Sequence, residues 1–294
     1  MWFLFTLITI LLWGGADVFY KIGSDPADKY SHWKIVAVVG IIMGFHALGY
    51  IAVSGIRFEP INIVRYLPVS LLYIASMTLG YAGLRHIELS VCSPVCNSSG
   101  AVAFVLCFLF LRSELSALQI IAVVVSSGIF WLALIERGKQ QRVKIKVEGK
   151  KKLRFGFLAI LFPILYCIID GVGTFADAVV LDRVMDEDQA LMSYEITFFI
   201  IAVFAVWYIV VIRKQKFTFA EQKARITAGV FETAGQFFYI RAMAENAVIA
   251  APLVACFSVV SVLLSRLFLK EKLTKLQYSV IAVIMAAVGI IGVE

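Results

Sequence analysis

One segment of this chain occurs twice. Leu109-Phe110-Leu111, Leu115, Leu118 and Gln119 return as Leu267-Phe268-Leu269, Leu273, Leu276 and Gln277, each 158 residues later. The same offset pairs Pro94 with Pro252 and Tyr81 with Tyr239 without a gap, and ten of the 39 positions from 81 to 119 are identical. Apolar composition inflates such a count. The weight therefore falls on the proline, tyrosine and glutamine, which a lipid-facing helix does not need. In a chain that is 61% apolar, a duplicated half points to a membrane protein assembled from two repeats, a plan common among transporters.

A soluble domain has about 45–50% apolar residues, and this chain exceeds that with only 16% charged residues. A bilayer is the solvent it fits. The net charge of +7 sits in short hydrophilic gaps rather than on one face, which suits lipid headgroups and membrane orientation and argues against nucleic acid. The five cysteines all lie inside apolar runs, so no disulfide framework is expected. Cys92 and Cys96 have helical spacing, but no further Cys or His nearby completes a metal site, and helix packing is the simpler role. The first apolar run, from Met1, lacks a basic leader and a small-residue cleavage site, and reads as an uncleaved membrane helix.

A spanning helix needs roughly 20 apolar residues. Ten stretches qualify: Trp2–Tyr20, Trp33–Val53, Val64–Leu84, Val91–Leu111 and Leu118–Ile135, then Phe155–Val180, Ala190–Ile212, Ala224–Met243, Val248–Leu269 and Leu276–Val293. The sequence thus predicts an all-α membrane protein with repeats at residues 1–135 and 155–294 and a basic linker at 136–154. With Arg266 counted at its helix end, gaps after odd-numbered spans hold 22 of the 27 Lys and Arg; the rest hold Arg57, Arg65, Arg112, Arg183 and Arg241. The positive-inside rule places the linker in the cytoplasm of an inner (plasma) membrane and both termini outside. Five spans per repeat is an odd number, so the second repeat is expected to be inverted relative to the first.

The segment Leu269-Lys270-Glu271-Lys272-Leu273-Thr274 resembles the turn after the ninth helix of EamA-type members of the drug/metabolite transporter superfamily. Pro252 and Pro94 match that family's prolines in helices nine and four. Leu11-Leu12-Trp13-Gly14-Gly15 with Lys21 looks like its first helix, and Ile281–Gly292 like its small-residue-rich last one. The first copy of the turn is degenerate, with Ser113 at the glutamate position and Glu114 one residue late. The resemblance covers essentially the whole chain and implies ten transmembrane helices, as two inverted five-helix repeats, around a central cavity. Relatives are usually drawn with both termini in the cytoplasm, opposite to the charge count.

Ionisable groups at membrane depth are expensive and normally face a bundle interior or a water-filled cavity. Asp17 shares a helix face with Trp13, Tyr20 and Lys21, and either pairs with Lys21 or snorkels outward. In the sixth span Asp170, Thr174 and Asp177 form one stripe, and an offset of 153 pairs Asp17 with Asp170. Arg225, Glu232, Gln236 and Tyr239 form another, on which Glu232 either faces the pathway or pairs internally with Arg225 or Arg241. Its repeat partner carries Ile74, Thr78 and Tyr81. Glu195, His46 with Tyr50, and Asn97 with Ser98 and Ser99 are further polar positions; Tyr73 reads as packing or cavity wall. The candidate substrate or coupling residues are therefore Glu232, Gln236, Tyr239, Asp170, Asp17, Thr174, Tyr81, Tyr73, His46 and Asn97.

No catalytic constellation, metal cluster, cofactor motif or nucleotide loop is visible, so an enzyme is not expected. The expected function is a secondary carrier for a small organic solute (an amine, amino acid or cationic drug), in which a carboxylate exchanges a proton or other ion for substrate. No obligatory protein partner is implied. The alternative is a non-transporting receptor or scaffold on the same fold.

Overall fold

The computed structural model describes residues 1–111, 120 and 150–291. The fifth expected span, Leu118–Ile135, the degenerate turn at Ser113 and most of the basic linker lie outside them. All regular structure among the described residues is helical: α1 (Trp2–Gly23), α2 (Ser31–Ser54), α3 (Ile61–Leu84), α4 (Leu89–Asn97), α5 (Ser99–Leu111), α6 (Lys150–Arg183), α7 (Glu187–Trp207, closed by a π turn at Tyr208–Ile212), α8 (Phe219–Val254), α9 (Phe257–Phe268) and α10 (Lys275–Ile291). Seven helical segments are long and apolar enough to cross a membrane, and α9 and α10 are shorter apolar helices.

Local chemistry explains most boundaries. Gly55 ends α2 in the left-handed region at φ +70°, where a side chain would be strained. Asp186 caps α7 by accepting from the Gln189 N–H at 2.8 Å, and Glu187 and Asp188 add charge to the first turn. α6 begins at Lys150, so its backbone takes up the last residues assigned above to the linker.

The fourth and ninth expected spans are not continuous helices. The fourth breaks at Ser98, between α4 and α5, and the ninth at Ala255 and Cys256. Each break comes a few residues after a proline, Pro94 or Pro252. Proline removes an N–H and crowds the preceding turn, so a helix kinks or ends near it. The offset of 158 maps the first residue of α5, Ser99, onto the first residue of α9, Phe257. The ninth span also begins inside α8, beyond a non-helical residue at Asn246 (φ −159°, ψ 74°). Asn246 lies 158 residues after Glu88, the N-cap of α4.

The halves pack reciprocally. α1 lies against α8 and α9, while α6 lies against α3 and α5; α2 packs on α7, and α4 on α9. Among the described residues these cross-contacts correspond in pairs, α1 on α8 and α9 answering α6 on α3 and α5. Glycines allow the closest approaches. A Cβ at Gly14 would stand 2.6 Å from Val260 Cβ, and one at Gly171 2.6 Å from Val102 Cβ. Val102 and Val260 are themselves 158 residues apart. The first helices of the two copies therefore correspond at an offset of 157, placing Gly14 on Gly171. This corrects the offset of 153: Asp17 is equivalent to Thr174, and Asp170 to Trp13. A shift of four residues is about one helical turn and preserves the face, which is why the polar pattern alone misplaces it.

Candidate functional site

Helices from both copies enclose one cavity of about 940 Å³ of empty space, counted with the part open to solvent. Asp17 with Trp13 and Tyr20 comes from α1, Tyr73 and Tyr81 from α3, Asn97 from α4, Tyr166, Asp170 and Thr174 from α6, Tyr194 from α7, and Glu232, Gln236 and Tyr239 from α8. Phe257 completes the wall where α9 begins. Nine of the ten candidate residues read from the sequence line this space.

The three carboxylates are held differently. Asp17 Oδ2 accepts from Ser93 Oγ at 2.6 Å and from Ser261 Oγ at 2.7 Å, tying α1 to both broken spans. Lys21 does not pair with it; its Nζ donates to the carbonyls of Leu84 and Ile87, both at 2.6 Å, closing the end of α3. Asp170 accepts from Ser76 Oγ at 3.0 Å. Glu232 accepts from the Tyr20 hydroxyl at 3.2 Å, and its backbone carbonyl accepts from Trp13 Nε1 at 3.2 Å. Neither arginine offered by the sequence neutralises Glu232. Arg225 donates to Gly23 O at 3.0 Å and caps α1, whereas Arg241 pairs with Asp188 at 2.9 Å.

Aromatic side chains make up much of the remaining wall. The rings of Trp13 and Tyr239 are 5.0 Å apart, those of Tyr20 and Tyr81 4.6 Å, and those of Tyr73 and Tyr194 5.8 Å. The Tyr73 and Tyr239 hydroxyls meet at 2.8 Å, and Tyr73 also donates to Asp177 at 3.2 Å. Asp177 lies fully buried just behind the wall, bonded by Tyr66 as well. It is a structural acceptor for α3 rather than a group at the membrane interface.

His46 is not in the cavity. Its Nδ1 lies 2.7 Å from Glu195 Oε2, between α2 and α7. Glu195 is fully buried, and its other oxygen has no hydrogen-bond partner. The sequence offered both residues separately but gave no means of pairing positions 149 apart. Ser76, Ser93 and Ser261 were not singled out, because nothing in a serine's neighbours marks it as a carboxylate's donor. Tyr194 was missed for a similar reason: between Ser193 and Glu195, nothing local marks it as the side chain that reaches the cavity.

Cys92 and Cys96 have their sulfurs 4.0 Å apart, and no group of three or more metal-ligating side chains occurs among the described residues. A model of the EamA-like transporter family matches residues 154–293. Over that segment, just under half of its length, the chain is similar to the family. Together with the seven long apolar helices among the described residues, the match indicates an integral membrane protein. No curated protein matches the sequence. A crystal structure 13% identical in sequence superposes with a TM-score of 0.69, covering 99% of this chain and 96% of its own, so the two share a fold.

Proposed function

We propose that this protein is an EamA-type secondary carrier of small organic cations, working by alternating access between two inverted five-helix repeats at residues 1–135 and 155–294. The basic segment 136–154 lies in the cytoplasm on this reading, by the positive-inside rule. The observation that carries the substrate class is the cavity's charge: Asp17, Asp170 and Glu232 line it with no Lys, Arg or His among the lining residues. A cation entering such a space is attracted by all three carboxylates and by the faces of the surrounding rings. Reciprocal packing of the halves supports rocking of one repeat against the other, with the ligand held between them.

Glu232 is the residue that exchanges a proton for substrate. It is buried and, among the described residues, unpaired with any base and reached only by the Tyr20 hydroxyl among hydrogen-bond donors. Purified protein in liposomes tests this with a panel of amines, with and without an imposed proton gradient. The gradient should drive amine flux in the wild type, and Glu232→Gln should abolish that dependence. Flux indifferent to both would sink proton coupling, while tight binding without counterflow would identify a receptor instead.

A further inference from the structure

One polar group in the cavity wall has nothing to bond. Gln236 is buried, and its Nε2 has no hydrogen-bond partner among the described residues. By contrast, the Asn97 amide is used, donating to Ser93 Oγ at 3.1 Å. An unsatisfied buried donor costs free energy that a ligand acceptor can recover. The acceptor has to be uncharged. A ligand carboxylate would enter a space already holding three carboxylates and no base, where a second like charge is strongly opposed.

Building on the organic-cation reading above, we infer that the cavity binds a cationic amine carrying a neutral carbonyl or hydroxyl acceptor, received by Gln236, and rejects zwitterionic amino acids. The ammonium is held by the carboxylates and aromatic faces, while Gln236 donates to the neutral acceptor. Selectivity of this kind follows from polar groups left unpaired by the wrong ligand rather than from size.

Three probes share one ring and one ammonium: phenylalaninamide, phenylalanine and 2-phenylethylamine. Their binding to the purified protein is measured by calorimetry at pH 6, where each amine carries its proton. Phenylalaninamide should bind roughly tenfold more tightly than either of the others, the scale expected of one satisfied buried donor. Gln236→Met and Gln236→Leu should each erase its advantage over 2-phenylethylamine. Phenylalanine binding as tightly as its amide, or an advantage unaltered in both variants, overturns the inference while leaving the cation reading intact. Failure of all three probes to bind overturns the cation reading and this inference with it.

Discussion

Glu271 caps the first turn of α4 from the other half of the molecule: its two carboxylate oxygens accept the backbone N–H groups of Leu89 and Ser90, each at 2.9 Å. The leading N–H groups of a helix have no intrahelical partner, and a carboxylate there also meets the positive end of the helix dipole. The turn that carries the family resemblance is therefore a clamp. It fixes the start of a broken helix whose residues Cys92, Ser93 and Asn97 line the cavity. Glu271→Ala should destabilise the protein by about 1–2 kcal/mol, seen as a lower midpoint of thermal unfolding, and Glu271→Gln by less. An unchanged midpoint in Glu271→Ala would refute the clamp.

The equivalent helix start in the second copy is capped locally. Asn246 Oδ1 accepts the Ile249 N–H at 3.3 Å, the geometry of a side-chain N-cap. Asn246→Ala should cost about 1 kcal/mol, and Asn246→Asp, which keeps the acceptor, should cost little. Equal losses in the two variants would show that the oxygen is not the cap.

How far the sequence carried these conclusions depends on the scale of the feature. Apolar length identifies membrane helices because the bilayer imposes it on every span, and ungapped duplication identifies Pro94 and Pro252 as equivalent. Finer features escape. Asp17 and Asp170 look like counterparts because both lie on the polar face of a first helix, but Gly14 and Gly171 place them one turn apart. The scaffold is symmetric while its chemistry is not: Glu232 stands where the other copy has Ile74, and Asp170 where it has Trp13. His46 was legible as a polar residue at membrane depth, but its partner Glu195 depends on how α2 and α7 pack, and no local pattern encodes that.

The His46–Glu195 pair gives a stability test independent of transport. Removing the imidazole leaves a fully buried carboxylate with neither oxygen bonded, the costly way to break such a pair. Because His46 is partly exposed, the loss in His46→Ala is set at about 2 kcal/mol rather than the larger figure for a fully buried pair. Adding Glu195→Leu should restore much of it, since an apolar side chain needs no partner. A double variant no more stable than His46→Ala would place the cost in packing alone.

Outside the spans, the loop before α2 should respond to acid. Burial pushes the Asp28 carboxyl up, but the Lys34 ammonium, with Nζ 2.7 Å away, and the Tyr30 N–H at 2.8 Å outweigh it and hold the group below its ordinary value. A carboxyl lowered on folding stabilises the protein at pH above its unfolded value, about 3.9. That contribution is lost as pH falls through the lower folded value. Above pH 5, Asp28→Asn should therefore unfold at a lower temperature than wild type, and the gap should narrow as pH drops below 4. A gap constant over that range would exclude the linkage.

The repeat symmetry itself can be measured through its glycines. Gly14 and Gly171 face equivalent residues at equivalent distances, and each lies too close to a valine on a helix of the broken spans to admit a methyl group without movement. Inserting a methyl into such a contact costs about 1–3 kcal/mol. Gly14→Ala and Gly171→Ala should both fall in that range and agree within about 0.5 kcal/mol of each other, a margin like that found for independent sites. Gly289→Ala, with nothing within 4 Å of the added Cβ, should leave thermal stability unchanged. If only one of the first two variants is destabilised, the helices α1 and α6 do not meet their partners equivalently, and the offset of 157 is wrong.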